Sequence, residues 1–126
     1  LGLVEAIREH VAKIGTTAAL QIQVDAPATL PEIPAAIEVA AFRIVQEALN
    51  NVIRHAQARH CTIAITTNGA LQLSIQDDGT GISAQTRSGV GLQSMRERAT
   101  EVGGICTIEN GALGGVIVRL SLPLPT

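Results

Sequence analysis

Two carboxylates and two glycines stand close together in residues 77–81 (DDGTG), directly after a run of alternating apolar residues. A carboxylate at the end of a strand can accept a hydrogen bond from the exocyclic amine of a flat heterocycle such as adenine. Gly79 and Gly81 would let such a ring lie against the backbone with no Cβ in the way. Asp-Asp-Gly is also a common acidic turn, so this motif needs support from other elements.

A second glycine cluster follows at residues 89–92 (GVGL). Gly89 and Gly91 stand where a predicted helix opens, with Val90 between them and Leu92 as the first apolar residue of the helix. Backbone N–H groups at a helix N-terminus bind phosphate oxygens. Gly-x-Gly alone is a weak signal, and its position after an acidic strand end is what favours a nucleotide site.

A polar stripe on a predicted helix supplies the third group of candidate residues, namely Glu47, Asn51, Arg54 and His55, which share one face of an α-helix. Asn51 offers a neutral oxygen, which suits Mg²⁺ because this ion takes one or two protein oxygens together with phosphate oxygens. Glu47 could orient or deprotonate a group at the γ-phosphate. Taken alone, the stripe also fits a merely solvated helix face.

The elements that must position these residues follow from periodicity. Residues 3–14 and 35–56 have apolar spacing typical of helices, and residues 20–24 alternate as a half-buried strand does. The dipeptide Asn68-Gly69 predicts a hairpin between strands at 60–67 and 70–76. A helix at 92–102 and a second hairpin, 105–109 with 116–122, complete an α+β two-layer sandwich, with helices covering one face of a mixed, mostly antiparallel sheet.

Composition limits the class of protein. With 126 residues, of which 46% are hydrophobic, residues 1–126 are expected to form a single domain. One Phe, no Trp, no Tyr and a net charge of −2 argue against nucleic acid as a partner. Cys61 and Cys106 lie in apolar runs without CxxC spacing, which predicts buried free thiols in a reducing compartment. No apolar run reaches the length of a membrane span, so no direct membrane contact is expected of this segment.

Three ordered motifs make residues 43–123 resemble the ATP-binding domain of sensor histidine kinases, a branch of the Bergerat-fold ATPases. Residues 47–55 (EALNNVIRH) resemble its N box, residues 77–81 its G1 box and residues 89–92 its G2 box. The continuation at residues 91–98 (GLQSMRER) and the short lid at residues 82–88 resemble the subgroup that signals to helix-turn-helix response regulators.

The resemblance implies a role for each candidate. Asn51 would bind the Mg²⁺ of ATP, Glu47 would lie near the γ-phosphate and Asp77 would read adenine. Either Arg54 or His55 could face phosphate. The glycines of both boxes, with Val90 and Leu92, would shape the pocket. Val116 stands after Gly114-Gly115 where the family often has a Thr, so the water-mediated adenine contact of that Thr is not implied here.

The chain lacks an obvious phosphate acceptor, since none of His10, His55 and His60 is followed by an acidic residue. We therefore expect a catalytic domain cut from a longer cytoplasmic or membrane-anchored parent, monomeric when isolated. Its partners would be the parent's dimerisation and histidine-phosphotransfer domain and, downstream, a response regulator. Two alternatives stay open at this stage: a stand-alone serine kinase of the anti-sigma type, and a binding module whose pocket has decayed.

Overall fold

The computed structural model describes residues 2–15, 19–56, 58–80, 90–111 and 114–125, and for residues 15, 55, 56, 90 and 91 it describes the backbone. The described chain forms helices α1 (Leu3–Gly15), α2 (Ala35–Asn51) and α3 (Val90–Glu101), a π-helical segment (Val52–Ala56), and strands β1 (Gln21–Asp25), β2 (His60–Thr67), β3 (Ala70–Asp77), β4 (Ile105–Asn110) and β5 (Val116–Pro123). None of the helices in these ranges has the length and apolar character that crossing a membrane requires.

The strands of the described chain form one five-stranded sheet in the order β1-β2-β3-β5-β4. β1 runs parallel to β2, and the other three neighbouring pairs are antiparallel. Alternate residues of β2 and β3 are buried beneath the helices, which gives each strand one covered and one open face. The predicted α+β sandwich with a mixed, mostly antiparallel sheet is confirmed.

The predicted hairpin at Asn68-Gly69 joins β2 to β3. Gly69 has a φ of +72°, a left-handed conformation that glycine adopts without steric cost. The turn sets a register in which Ile63 lies opposite Ile75 and Ile65 opposite Leu73, so both pairs reach the covered face together.

Helix α2 is the main packing element of the core. Its apolar stripe includes Ile44, Val45 and Leu49, all 0% exposed. The predicted helix over residues 35–56 is present, but beyond Asn51 its backbone widens into the π-helical segment. At the junction the N–H of Val52 is shared between the carbonyls of Ala48 and Leu49, as is common at the end of an α-helix. Side-chain periodicity does not encode the π-helical turn that follows.

Both cysteines are buried free thiols, as predicted. Burial raises the pKa of the Cys61 thiol to about 12, with further contributions from the charges of Asp77 and Asp78. Burial likewise raises the pKa of Cys106 to about 11. Cys61 lies on β2 and Cys106 on β4, and strands β3 and β5 lie between these two strands in the sheet. The two cysteines are therefore too far apart to form a disulfide.

Helix α3 ends at two glycines, as the sequence predicts. Gly103 has a φ of +78°, and the N–H of Gly104 donates to the carbonyl oxygen of Ala99 at 2.8 Å. This turn leads directly into β4. At its other end α3 begins at Val90, two residues before the predicted start.

Candidate functional site

The end of β3 and the starts of β2 and β5 lie side by side at one end of the sheet. β3 ends at Asp77, which lies opposite Cys61 near the start of β2. On the other side of β3, Gln76 lies opposite Ile117, so the start of β5 is at the same end. The G1 motif therefore sits beside the segment that leaves α2 and beside the glycine pair that precedes β5.

Helices α2 and α3 pack against each other over the same core. A surface groove of about 430 Å³ places Val39 and Arg43, near the start of α2, beside Arg98 and Glu101, near the end of α3. At the other end of these helices, Leu49, Val52 and Leu92 belong to the same buried core. The structure places the G1 motif beside Arg59 and His60, which follow the N box.

Asp77 is the buried carboxylate of this site, with 4% of its surface exposed. Its Oδ1 accepts a hydrogen bond from the backbone N–H of Gly79 at 2.8 Å, and the backbone N–H of Val116 also donates to its carboxylate. The pKa of Asp77 is raised above 3.8, chiefly because burial disfavours the charged form and less because of neighbouring Asp78, while both backbone hydrogen bonds oppose the shift.

Acceptor capacity remains on this carboxylate. A carboxylate has about four lone-pair positions, and two backbone donors occupy about half of them. Residue 116, where the sequence departs from the family, contributes through its backbone, which any residue except proline would supply. The arrangement fits a ligand that brings its own N–H donor, as the exocyclic amine of adenine does.

The turn before β5 adds a residue that the sequence reading did not include among the site residues. Gly115 is buried with a φ of +72°, and a Cβ built on it would lie 2.0 Å from the carbonyl oxygen of Asp77 and 2.8 Å from Oδ1. A Cβ on Gly114 would lie 3.3 Å from the carbonyl oxygen of Gly79. The chain therefore needs glycine here so that β5 can start directly against the G1 motif. The adjacent glycine pair was the signal in the sequence.

Asp78 was also outside the predicted site. It is exposed, and its Oδ1 accepts hydrogen bonds from the backbone N–H groups of Arg59 at 2.8 Å and His60 at 2.9 Å. Its Oδ2 lies 2.8 Å from Nδ1 of His60. These bonds, first that from the His60 backbone, lower the pKa of Asp78 to about 2. The second aspartate of the motif thus binds the protein's own backbone.

The N-box residues are more open. Glu47 and Asn51 are half-buried, one helical turn apart, and Arg54 is exposed. Within the ranges that the structure describes, no hydrogen bond or ion pair holds these three side chains. The predicted common face assumes an α-helix and applies to Glu47 and Asn51, whereas Arg54 and His55 follow in the wider π-helical turn. Such turns are frequent at functional sites.

The G2 motif lies partly within the described chain. Val90 and Gly91 form the first turn of α3, and Leu92 is 5% exposed and packs in the core. The contribution of Leu92 is therefore to anchor the start of the helix. Gly81, Gly89 and the predicted lid at residues 82–88 lie outside the described residues.

Comparison with known proteins identifies the family. The family model described as "Histidine kinase-, DNA gyrase B-, and HSP90-like ATPase" matches residues 36–126, which include all three motifs. The chain belongs to this family.

The curated relatives of this family member include sensor kinases. The sensor histidine kinase YxjM of Bacillus subtilis is 35% identical over 123 residues, covering 96% of this chain and 30% of the relative. The sensor histidine kinase LiaS of the same organism is 37% identical over 91 residues, covering 70% of this chain and 25% of the relative. The chain thus spans about a third or less of the length of these relatives.

The fold also matches solved structures. The crystal structure of the ATP binding domain of PrrB from Mycobacterium tuberculosis superposes with a TM-score of 0.76, covering 100% of this chain and 96% of that one at 21% identity. At this identity the likeness concerns the fold, and it extends over nearly all of that ATP binding domain.

Proposed function

We propose that this chain is the ATP-binding catalytic domain of a sensor histidine kinase. In this role it binds ATP with Mg²⁺ and supplies the γ-phosphate that is transferred to a histidine on a separate dimerisation domain. The observation that carries the proposal is the buried Asp77 carboxylate, hydrogen-bonded by two backbone N–H groups at the end of β3.

Asp77 reads the base in this proposal. Its carboxylate accepts a hydrogen bond from the exocyclic amine of adenine, while the N–H of Gly79 and the backbone at Gly115 keep the carboxylate in place. Adenine binding favours the ionised form of Asp77, because an ionised carboxylate offers both oxygens as acceptors to the amine of the base. The raised pKa of Asp77 means that ATP affinity falls when the pH is lowered toward that pKa.

The end of α2 handles the phosphates. Asn51 would hold Mg²⁺ through its side-chain oxygen, and when bound this ion neutralises charge on the phosphate oxygens. Glu47, one turn earlier, orients the attacking group, and Arg54 and His55 provide positive charge or hydrogen-bond donors for phosphate. Gly89, Gly91 and the start of α3 supply backbone N–H groups to the same phosphates.

The partners follow from the relatives' names. Sensor histidine kinases supply a dimerisation and phosphotransfer domain in the same parent chain, and a response regulator receives the phosphate. Residues 91–98 support a helix-turn-helix regulator in particular. We place this domain in the cytoplasm, where ATP is available. Both relatives described above are sensor histidine kinases, which favours this function over the serine kinase alternative.

Calorimetric titration of the isolated domain with Mg-ATP and Mg-GTP tests the proposal. We expect ATP to bind in the micromolar to millimolar range, since the lid at residues 82–88 is short. GTP should bind about 5- to 100-fold more weakly, because its O6 acceptor would face the Asp77 carboxylate with no proton between them. Equal affinities would contradict base reading by Asp77, and no binding of either nucleotide would contradict the function itself.

A further inference from the structure

Asp78 ties the G1 motif to the segment that follows the N box. Four hydrogen bonds link it to Arg59 and His60: three to its carboxylate, and one from its own N–H to the carbonyl oxygen of His60 at 3.2 Å. Arg59 in turn accepts a hydrogen bond from the N–H of Gln21 at 2.9 Å. Asp78 is thus the centre of a brace that joins β3, the start of β2 and β1.

The brace lies just beyond the point where β3 stops pairing with its neighbouring strands. Asp77 is the last residue of β3 and pairs with Cys61, while on the β5 side the ladder already ends at Gln76. Strand ends open more readily than strand centres, and Gly79 follows at once. The bonds of Asp78 are therefore what prolongs the β2–β3 contact past the residue whose carboxylate must stay fixed.

The brace also links the two halves of the site. Arg59 lies three residues after the π-helical segment that ends the N-box region. Holding Arg59 and His60 against the end of β3 fixes Asp77 relative to the helix end that carries Asn51. The charge of Asp78 contributes, since its pKa is lowered to about 2 by these same hydrogen bonds and the carboxylate is ionised throughout the neutral range.

We propose that Asp78 is a positioning residue for base recognition: its carboxylate clamps Arg59 and His60 to the end of β3 and thereby keeps Asp77 in the orientation that selects adenine. This inference rests on the proposed function, in which Asp77 reads the base. Asp78 itself does not contact the nucleotide, because its oxygens are directed to the 59–60 backbone and the His60 ring.

Two substitutions of Asp78 distinguish an effect on the orientation of Asp77 from an effect on the stability of the fold alone. Asp78→Ala removes all three carboxylate bonds, whereas Asp78→Asn keeps an oxygen that can accept from the N–H groups of Arg59 and His60. Asp25→Ala is the matched control, because Asp25 is an exposed aspartate of β1 whose carboxylate accepts a hydrogen bond from the side chain of Gln23. All variants are compared with the wild-type domain well below their unfolding temperatures.

The first measurement is the affinity for ATP and GTP. We expect Asp78→Ala to weaken ATP binding by about 3- to 30-fold and to reduce the preference for ATP over GTP, with Asp78→Asn close to wild type and Asp25→Ala unchanged. The gain in ATP affinity on adding Mg²⁺ should be the same in all variants. A purely structural role would lower the unfolding temperature and leave the base preference unchanged, and that result would overturn the proposal.

Amide hydrogen exchange provides a readout that needs no nucleotide. The N–H groups of Gly79 and Val116, which donate to Asp77, should exchange faster by about 10-fold or more in Asp78→Ala, and unchanged exchange there would contradict the brace. If Asp78→Ala does not fold, His60→Ala, which removes only the imidazole bond, should speed the same amides by about 2- to 5-fold. If the wild-type domain binds no ATP but the variants show these exchange changes, the proposed function is disproved while the structural role of the brace is supported.

Discussion

The two halves of the nucleotide site are built differently. The carboxylate of Asp77 is buried, receives two backbone hydrogen bonds and is packed against Gly115. The N-box side chains of Glu47, Asn51 and Arg54 are half-buried or exposed, and within the described ranges no hydrogen bond or ion pair holds them. The part of the site around Asp77, here called the base corner, is therefore preorganised by the fold. The part around Glu47, Asn51 and Arg54, here called the phosphate arm, is more open, and in the proposed function the nucleotide, its metal ion and the partner domain would order it.

This difference fits the proposed function, in which the domain holds ATP and passes its phosphate to a second protein group. Recognition of a base benefits from donors and acceptors fixed in advance, because no ordering cost is then incurred on binding. The proposed transfer of the γ-phosphate to a histidine on another domain would require an open phosphate arm, since the acceptor must approach it. Mutations in the two halves should accordingly differ in whether they affect binding or transfer.

The largest effect is expected for Glu47→Gln in a parent kinase that contains the dimerisation domain. The neutral amide removes the charge that orders the attacking group, so autophosphorylation should fall by about 10²- to 10⁴-fold if Glu47 acts as the base. ATP affinity should be unchanged or slightly improved, because the carboxylate no longer repels phosphate. The rates are measured with labelled ATP at saturating concentration. An unchanged rate would assign Glu47 to the helix structure alone.

A smaller effect, on stability as well as binding, is expected for Gly115→Ala. Its φ of +72° and the predicted overlap of a Cβ with the Asp77 carbonyl should together lower the free energy of unfolding by roughly 2–5 kcal/mol. Gly69→Ala is the matched control, because Gly69 has the same φ but nothing within 4 Å of a Cβ. That variant should lose only about 1–2 kcal/mol.

Denaturant unfolding and ATP titration of both glycine variants sharpen the comparison. Gly115→Ala should lose ATP affinity in addition to stability, since the added methyl group displaces Asp77, while Gly69→Ala should bind ATP as the wild type does. Equal losses of stability in the two variants would show that the close approach of Gly115 to Asp77 does not constrain the site.

The sequence predicted the features that depend on side-chain pattern. Alternation placed β2 and β3, the Asn68-Gly69 turn set their register, and helical spacing located α2 and the buried face around Ile44. The sequence also predicted Asp77 as a carboxylate at the end of a strand and just before glycines, and β3 does end at Asp77. These predictions succeeded because each one rests on a local rule that acts within a few residues.

The features that the sequence did not predict depend on contacts between distant segments. The brace from Asp78 to Arg59 and His60 spans 18 and 19 residues and uses backbone donors that every residue type possesses. The approach of Gly115 to Asp77 arises only once β5 has paired with β3. The π-helical segment after Asn51 is a backbone feature as well, and because of it the α-helical spacing used to predict the common face does not continue past Asn51.

The central claim is that Asp77 binds the base and that Asn51 holds the metal ion bound to the phosphates. The most direct test is to titrate the Asp77→Asn and Asn51→Ala variants with ATP, with and without Mg²⁺. Because the folded-state pKa of Asp77 is raised above 3.8, its ionisation costs stability as the pH rises past 3.8 toward the folded-state pKa. Asp77→Asn removes this cost but keeps only one acceptor oxygen for the two backbone donors, so we expect the variant to fold, which thermal unfolding checks.

Asp77→Asn is expected to weaken ATP binding by about 10-fold or more, to the same degree with and without the metal. Asn51→Ala should weaken ATP binding by about 10-fold only when Mg²⁺ is present and leave metal-free ADP binding unchanged. A matching dependence on Mg²⁺ in the two variants would contradict the division of the site into a base corner and a phosphate arm.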